Sequence, residues 1–175
     1  MQTDLAEGVA TQLDFGGPGF GGLLRLRLIG TYVLRQSREQ LGDVVEFAGG
    51  IGPDSPLAGI RRARANLSLT WERERLSLTG QVRFIGAAQL VNDWTSKDVD
   101  GNRVPAVACL DLRASYRLAN HLELYRAGDN LLNQDPPVLP GTADQGQNVY
   151  YFTATRGDLH DLVGLPYRVG ARIRF

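Results

Sequence analysis

Long stretches of this chain alternate apolar and polar side chains, and no other feature constrains the fold as tightly. From Leu24 to Leu34, "LRLRLIGTYVL" sets Leu24, Leu26, Leu28, Gly30, Tyr32 and Leu34 against Arg25, Arg27, Ile29, Thr31 and Val33. An extended strand sends successive side chains to opposite faces, so the run makes a strand with one apolar and one polar face. "RARANLSLTW" from Arg62 repeats the pattern, and "LSLTGQVRF" from Leu76 follows it through the charged turn Glu72 to Arg75. "AVACLDLRASYRL" from Ala106 turns at "ANH" into "HLELYRAGDNLL", and the chain ends on "LPYRVGARIRF". With 21 glycines, 8 prolines and no sustained helical spacing, this predicts an all-β antiparallel meander. Six strands are counted, with a partial one near "GVATQLDF", which places the fold at about 6–8 strands.

The connections are lopsided. Very short turns join the strands at one end, whereas the segments 37–59, 93–104 and 132–164 are long, irregular and rich in Gly, Pro, Asp and Asn. Outer-membrane β-barrels have this form, with short periplasmic turns, long extracellular loops and strands that put apolar residues toward lipid and polar residues toward the lumen. Trp71 and Tyr116 fall by the short turns, and Tyr32 and Trp94 toward the long loops, as interfacial girdles require. Arg25, Arg27, Arg62, Arg64, Arg83, Arg113, Arg172 and Arg174 all fall on the polar side of their alternation. A charge facing hydrocarbon at mid-membrane costs about 2–4 kcal/mol, so these arginines belong in a wet lumen. A soluble lipocalin-like barrel binding a small ligand has the same period with its apolar row inside. Period alone leaves both architectures open.

Composition removes several other functions. The 175 residues suit one domain, 1–175, and 19 basic residues balance 19 acidic ones, so no global field draws in nucleic acid. Lys97 is the only lysine, which suits guanidinium groups held in fixed hydrogen-bonded rows and equally a genome of high GC content. The single Cys109 excludes an internal disulfide. No apolar run reaches the roughly 20 residues of a transmembrane helix, and "MQTDLAEGVATQLDF" lacks the pattern of a secretory signal. His121 and His160 stand alone without metal-ligand spacing. "GGPGFGG" lacks the lysine and following helix of a phosphate loop and reads as a turn. Asp93, Asp98 and Asp100 lack the terminal Glu of a calcium loop. Neither catalysis nor a cofactor is expected.

Two segments carry a family likeness. "YRAGDNLLNQDPP" from Tyr125 and "HDLVGLPYRVGARIRF" from His160 resemble the C-terminal barrel of TonB-dependent outer-membrane receptors, which end on "xVDNLFNxxPP", a long last loop, "YDxxGRxYxVGxRxxF" and a terminal Phe. Asp129, Asn130 and Leu131 match the DNL core, Asn133, Pro136 and Pro137 follow it, and Asp161 and Gly164 match the DxxG. Tyr167, Val169, Gly170, Arg172 and Phe175 match the closing strand, and "VPAVACLDLRASY" matches the strand before the DNL segment. The likeness covers nearly the whole chain and is tight from about residue 60 onward.

The resemblance implies a transport receptor in the outer membrane of a Gram-negative bacterium, importing a ligand such as a ferric siderophore, cobalamin or a glycan fragment. Tyr167 and Phe175 would be read by the outer-membrane assembly machinery, and outer-membrane lipid would surround the barrel. The TonB complex would act only through a plug, which together with the signal peptide and the TonB motif is not found in these residues. Such receptors have barrels of about 22 strands, so the chain reads as a C-terminal barrel portion; a truncated product that never inserts is the other reading. His160 replaces the usual Tyr, Leu165-Pro166 the usual Gly-Arg, Gly128 the usual Val, and Cys109 an aromatic. Arg126 departs most, because alternation with Leu122 and Leu124 aims it at lipid; a bulge, snorkelling, or drift of this copy would each account for it.

Overall fold

A computed structural model describes residues 2–51, 60–95, 97, 101–137 and 164–174. Their strands are β1 (Gln2–Gly19), β2 (Gly22–Gln40), β3 (Asp43–Glu46), β4 (Ala63–Arg73), β5 (Leu76–Ile85), β6 (Val107–Ala119), β7 (Leu122–Gly128) and β8 (Tyr167–Ile173). They form one antiparallel sheet in the order β1-β2-β4-β5-β6-β7-β8, with β3 paired to the far half of β2. The sheet is an open meander, as the expected partial barrel requires.

Local chemistry sets each short connection. Gly19 pairs with Gly22 around Phe20 and Gly21, both at positive φ, and Gln40 pairs with Asp43 around Leu41 and Gly42 in the same way. Two such residues make a type I′ turn, whose twist matches the flanking strands. "GGPGFGG" is therefore a hairpin turn, as expected.

Two expectations needed correction. The N-terminal stretch is a full strand, paired with β2 along its whole length, with a bulge between Glu7 and Gly8. Segment 37–59 is not irregular from its start, because β2 runs to Gln40 and β3 continues from Asp43. Polar side chains on both faces hid this extension, since alternation reports a strand only where one face is apolar.

Apart from Val107 at the start of β6, the described buried hydrophobic residues lie outside the regular sheet. Ile51, Ala88 and Val104 form a buried cluster among the long connections, with Phe47, Ala48 and Leu90 buried close by in sequence. Asn102 ties it together: its Oδ1 accepts from the N–H groups of Leu90 and Val91, and its Nδ2 donates to the carbonyls of Val91 and Trp94. Asn92 donates to the carbonyls of Glu46 and Ala48. Buried Arg61 donates to the Gly86 carbonyl at 2.7 Å. The connections at this end of the sheet thus include a packed, hydrogen-bonded extension of the wall.

Candidate functional site

Register converts the alternation into two continuous surfaces. Leu13, Leu28, Leu67, Val82 and Leu110 are successive partners across β1, β2, β4, β5 and β6, and Phe15, Leu26, Leu69, Gly80 and Leu112 make the next row. The row nearer the short turns runs Leu24, Trp71, Leu78, Ala114, Arg126 and Val169. At the long-loop end Tyr32 lies opposite Val9 and Ala63. At roughly 3.3 Å per residue the run from Leu24 to Tyr32 is about 26 Å long, close to the roughly 25 Å apolar band of a transmembrane barrel. These side chains are open to the surroundings: Phe15 is 64% exposed, Leu69 46% and Val169 78%. A single-layer sheet with so broad an apolar face must meet a partner or hydrocarbon.

The opposite face is polar and largely self-paired. Arg27 meets Asp14 at 3.4 Å, Arg25 meets Glu72 at 3.2 Å, and Arg172 meets Glu123 at 3.4 Å. Thr70 and Thr79 share a hydrogen bond across β4 and β5. Arg113 lies over the Tyr125 ring, 5.5 Å from its centroid. That ring covers Gly170, where an added Cβ would fall 2.5 Å from the phenol. A β-carbon here would displace the ring from its seat, so glycine lets Tyr125 lie flat across β8.

The expected motif residues gather at the long-loop end of β6, β7 and β8. Asp111 in β6 accepts from Arg83 through Nε at 2.6 Å and Nη2 at 3.0 Å, and its Oδ1 also accepts the Asn130 N–H at 2.8 Å. Asn130 is 1% exposed and sits at φ +48°, a left-handed conformation that asparagine tolerates better than most side chains. Its side chain closes a turn on Gln134, donating to the carbonyl and accepting the N–H. The Leu131 N–H donates to the Leu110 carbonyl, Asp129 pairs with Arg168, and the Asp129 N–H reaches the Pro166 carbonyl. Gly164 lies against the Asn133 side chain, and Pro137 is buried. The DNL segment therefore fastens the end of β7 to β6 on one side and to the start of β8 on the other.

The remaining expected residues are placed as follows. Arg64, Arg83, Arg113 and Arg172 occupy the polar face by register. Arg62 precedes β4 and donates to the Leu34 carbonyl at 2.8 Å, and Arg174 follows β8, its N–H on the His121 carbonyl. Tyr167 lies on the apolar face opposite Gly128 and Pro136 is half-buried. Asp161 and Phe175 lie outside the described residues. Asp111 was not singled out by sequence; the available signal was a carboxylate in the polar row of β6, diagonal to Arg83 in β5. Among the described residues no group of His, Cys, Asp or Glu is arranged to hold a metal.

The chain matches, over residues 6–131, the family described as TonB dependent receptor-like, beta-barrel. No curated protein and no solved structure matches.

Proposed function

The chain belongs to the TonB-dependent receptor β-barrel family, and on that premise we propose that it is a wall portion of an outer-membrane transport receptor. Members of this family are transporters rather than enzymes, and membership implies a Gram-negative outer-membrane context. The observation that carries the reading is the exposed apolar face, which runs from β1 to β8 with Arg126 as its exception, backed by a paired polar face. A lipocalin-like barrel buries that face inside; here the wide apolar surface matches what lipid demands. The polar face, with Arg62, Arg64, Arg83, Arg113, Arg172 and Arg174, lines the lumen in this reading.

Strand parity supports a larger barrel. Along β1-β2-β4-β5-β6-β7-β8 each strand is antiparallel to the next, so β1 and β8 run the same way. Joining them to each other would create a parallel seam. An antiparallel barrel containing this sheet needs an odd number of further strands between the two edges, and hydrocarbon does not tolerate edges left unpaired. We assign the ligand to the class of scarce nutrients, a ferric siderophore, cobalamin or a glycan fragment, captured by the segments around 37–59, 93–104 and 132–164. Energy comes from the TonB complex acting through a plug, and Tyr167 and Phe175 serve as the signal read by the assembly machinery.

Epitope insertion tests the orientation. A tag inserted after Gly141 should be labelled on intact cells, whereas one in the Asn120–His121 turn should be labelled only after the outer membrane is permeabilised. The reverse pattern, or a tag confined to the soluble fraction, would refute the reading. In the same cells Phe175→Ser should lower the surface signal severalfold, and an unchanged signal would remove Phe175 from assembly.

A further inference from the structure

Arg126 breaks the apolar face, and its surroundings suggest why. The β7 register runs unbroken from Leu122 to Gly128, the nearby bulge belonging to β6 between Arg117 and Ala119, so Arg126 stands on the apolar face beside Ala114 and Val169. It is exposed, and no ion pair to it is found among the described residues. The group it meets is the Tyr167 ring, 5.6 Å from guanidinium carbon to centroid.

The same residue borders a groove of about 470 Å³ in this face. Small side chains at Gly80, Ala114 and Gly128 make the floor, and Leu69, Trp71, Leu78, Leu112, Leu131 and Tyr167 rise around it. Leu131 and Tyr167 overhang Gly128, where an added Cβ would fall 2.8 Å from the leucine and 3.3 Å from the ring. The result is an apolar trough bordered on this face by the Arg126 guanidinium, whose row lies two rows inside the Ala119–Leu122 pair of the β6–β7 turn and, at Trp71 and Leu78, two residues from the β4–β5 turn. An unpaired guanidinium facing hydrocarbon is unfavourable, and a bound phosphate removes that penalty while its acyl chain fills the trough.

We propose that Arg126 and this groove form a site for an anionic phospholipid of the inner leaflet, the phosphate on Arg126 and an acyl chain over Gly80 and Gly128. The proposal rests on the outward-facing reading of the apolar face. Trp71 and Leu78, two residues from the β4–β5 turn, put that end of the groove beside the short turns, which favours the periplasmic leaflet, where phospholipid supplies the anion.

The two tryptophans provide a probe, because Trp71 lines the groove and Trp94 lies in a connection away from it. A closed barrel that contains this sheet, carrying Trp94→Phe and with any tryptophan outside these 175 residues likewise replaced, is reconstituted in phosphatidylcholine vesicles containing a small fraction of lipid brominated on its acyl chains. Brominated phosphatidylglycerol should quench Trp71 with an apparent affinity about fivefold above that of brominated phosphatidylcholine, the preference one basic side chain near the membrane gives. Arg126→Gln should abolish the preference and Arg126→Lys retain most of it, with circular dichroism confirming sheet content in each. Equal quenching by both lipids, or a preference that survives Arg126→Gln, would overturn the site while leaving the lipid-facing wall intact. Quenching by neither would overturn the lipid-facing reading itself, and the site with it.

Discussion

Leu69→Arg should destabilise the membrane-embedded sheet by about 2–4 kcal/mol, the cost of a basic side chain at the lipid-facing midplane of a barrel. Leu69 sits between Leu26 and Gly80 in the middle rows of the apolar face. Its neighbour Ser68 sits between Arg27 and Gln81 on the polar face. Ser68→Arg should therefore change stability by less than about 0.5 kcal/mol, as surface substitutions usually do. Urea unfolding, in phosphatidylcholine vesicles, of a closed barrel that contains this sheet measures both. Adjacent residues thus differ by a factor of several in cost, and equal effects would show that the two faces do not meet different solvents.

The second large effect belongs to Asp111. Its carboxylate receives two hydrogen bonds from Arg83 and one from the Asn130 N–H, and its side chain is 15% exposed. Hydrogen bonds to charged groups contribute about 1.5–3 kcal/mol each at most, and stranding a partner adds to the loss. Arg83 is more exposed than Asp111, so water recovers part of its solvation. Asp111→Ala should cost about 3 kcal/mol. The loss should also loosen the turn from Asp129 to Gln134, seen as faster proteolysis there. Paired with Arg83→Met in a double-mutant cycle, it should give a coupling of about 1–2 kcal/mol. Additive losses with unchanged proteolysis would mean that the DNL turn does not depend on this carboxylate.

Residue by residue, the sequence disclosed what has a period and hid what depends on register. Leu24 through Tyr32 and Ala63 through Trp71 announce their faces, because an apolar row against a polar row has one explanation in a strand. The Arg38–Asp4 ion pair at 2.7 Å, in the extension of β1 and β2, was not legible, since nothing apolar marks a face there. Arg126 was legible as an exception to the alternation; the trough beside it was not. Gly80, Ala114 and Gly128 are distant in sequence and become neighbours only through pairing. The same holds for Gly170 under the Tyr125 ring and for Asp111 beneath Asn130. The motif letters marked where to look; hydrogen bonds account for the asparagine at 130, and the Tyr125 ring accounts for the glycine at 170.

Parity gives the account its wider consequence. A sheet whose first and last strands run the same way, apolar on one broad face and ion-paired on the other, has the properties of a partial barrel wall. The DNL turn secures β7 between β6 and β8, so the pairing of the last two strands is fastened by side chains as well as by the ladder. The packed connections around Ile51 and Asn102 extend the wall beyond the strands at the long-loop end.

The most direct test of the lipid-facing claim is spin-label accessibility along β4. In a Cys109→Ala background, nitroxides placed one at a time at positions 63 to 71 are collided with oxygen, which concentrates in hydrocarbon, and with a water-soluble nickel chelate. Odd positions, from Ala63 to Trp71, should favour oxygen and even positions, from Arg64 to Thr70, should favour nickel, alternating at every residue. Odd positions shielded from both reagents would place the apolar row inside a soluble barrel and contradict the account.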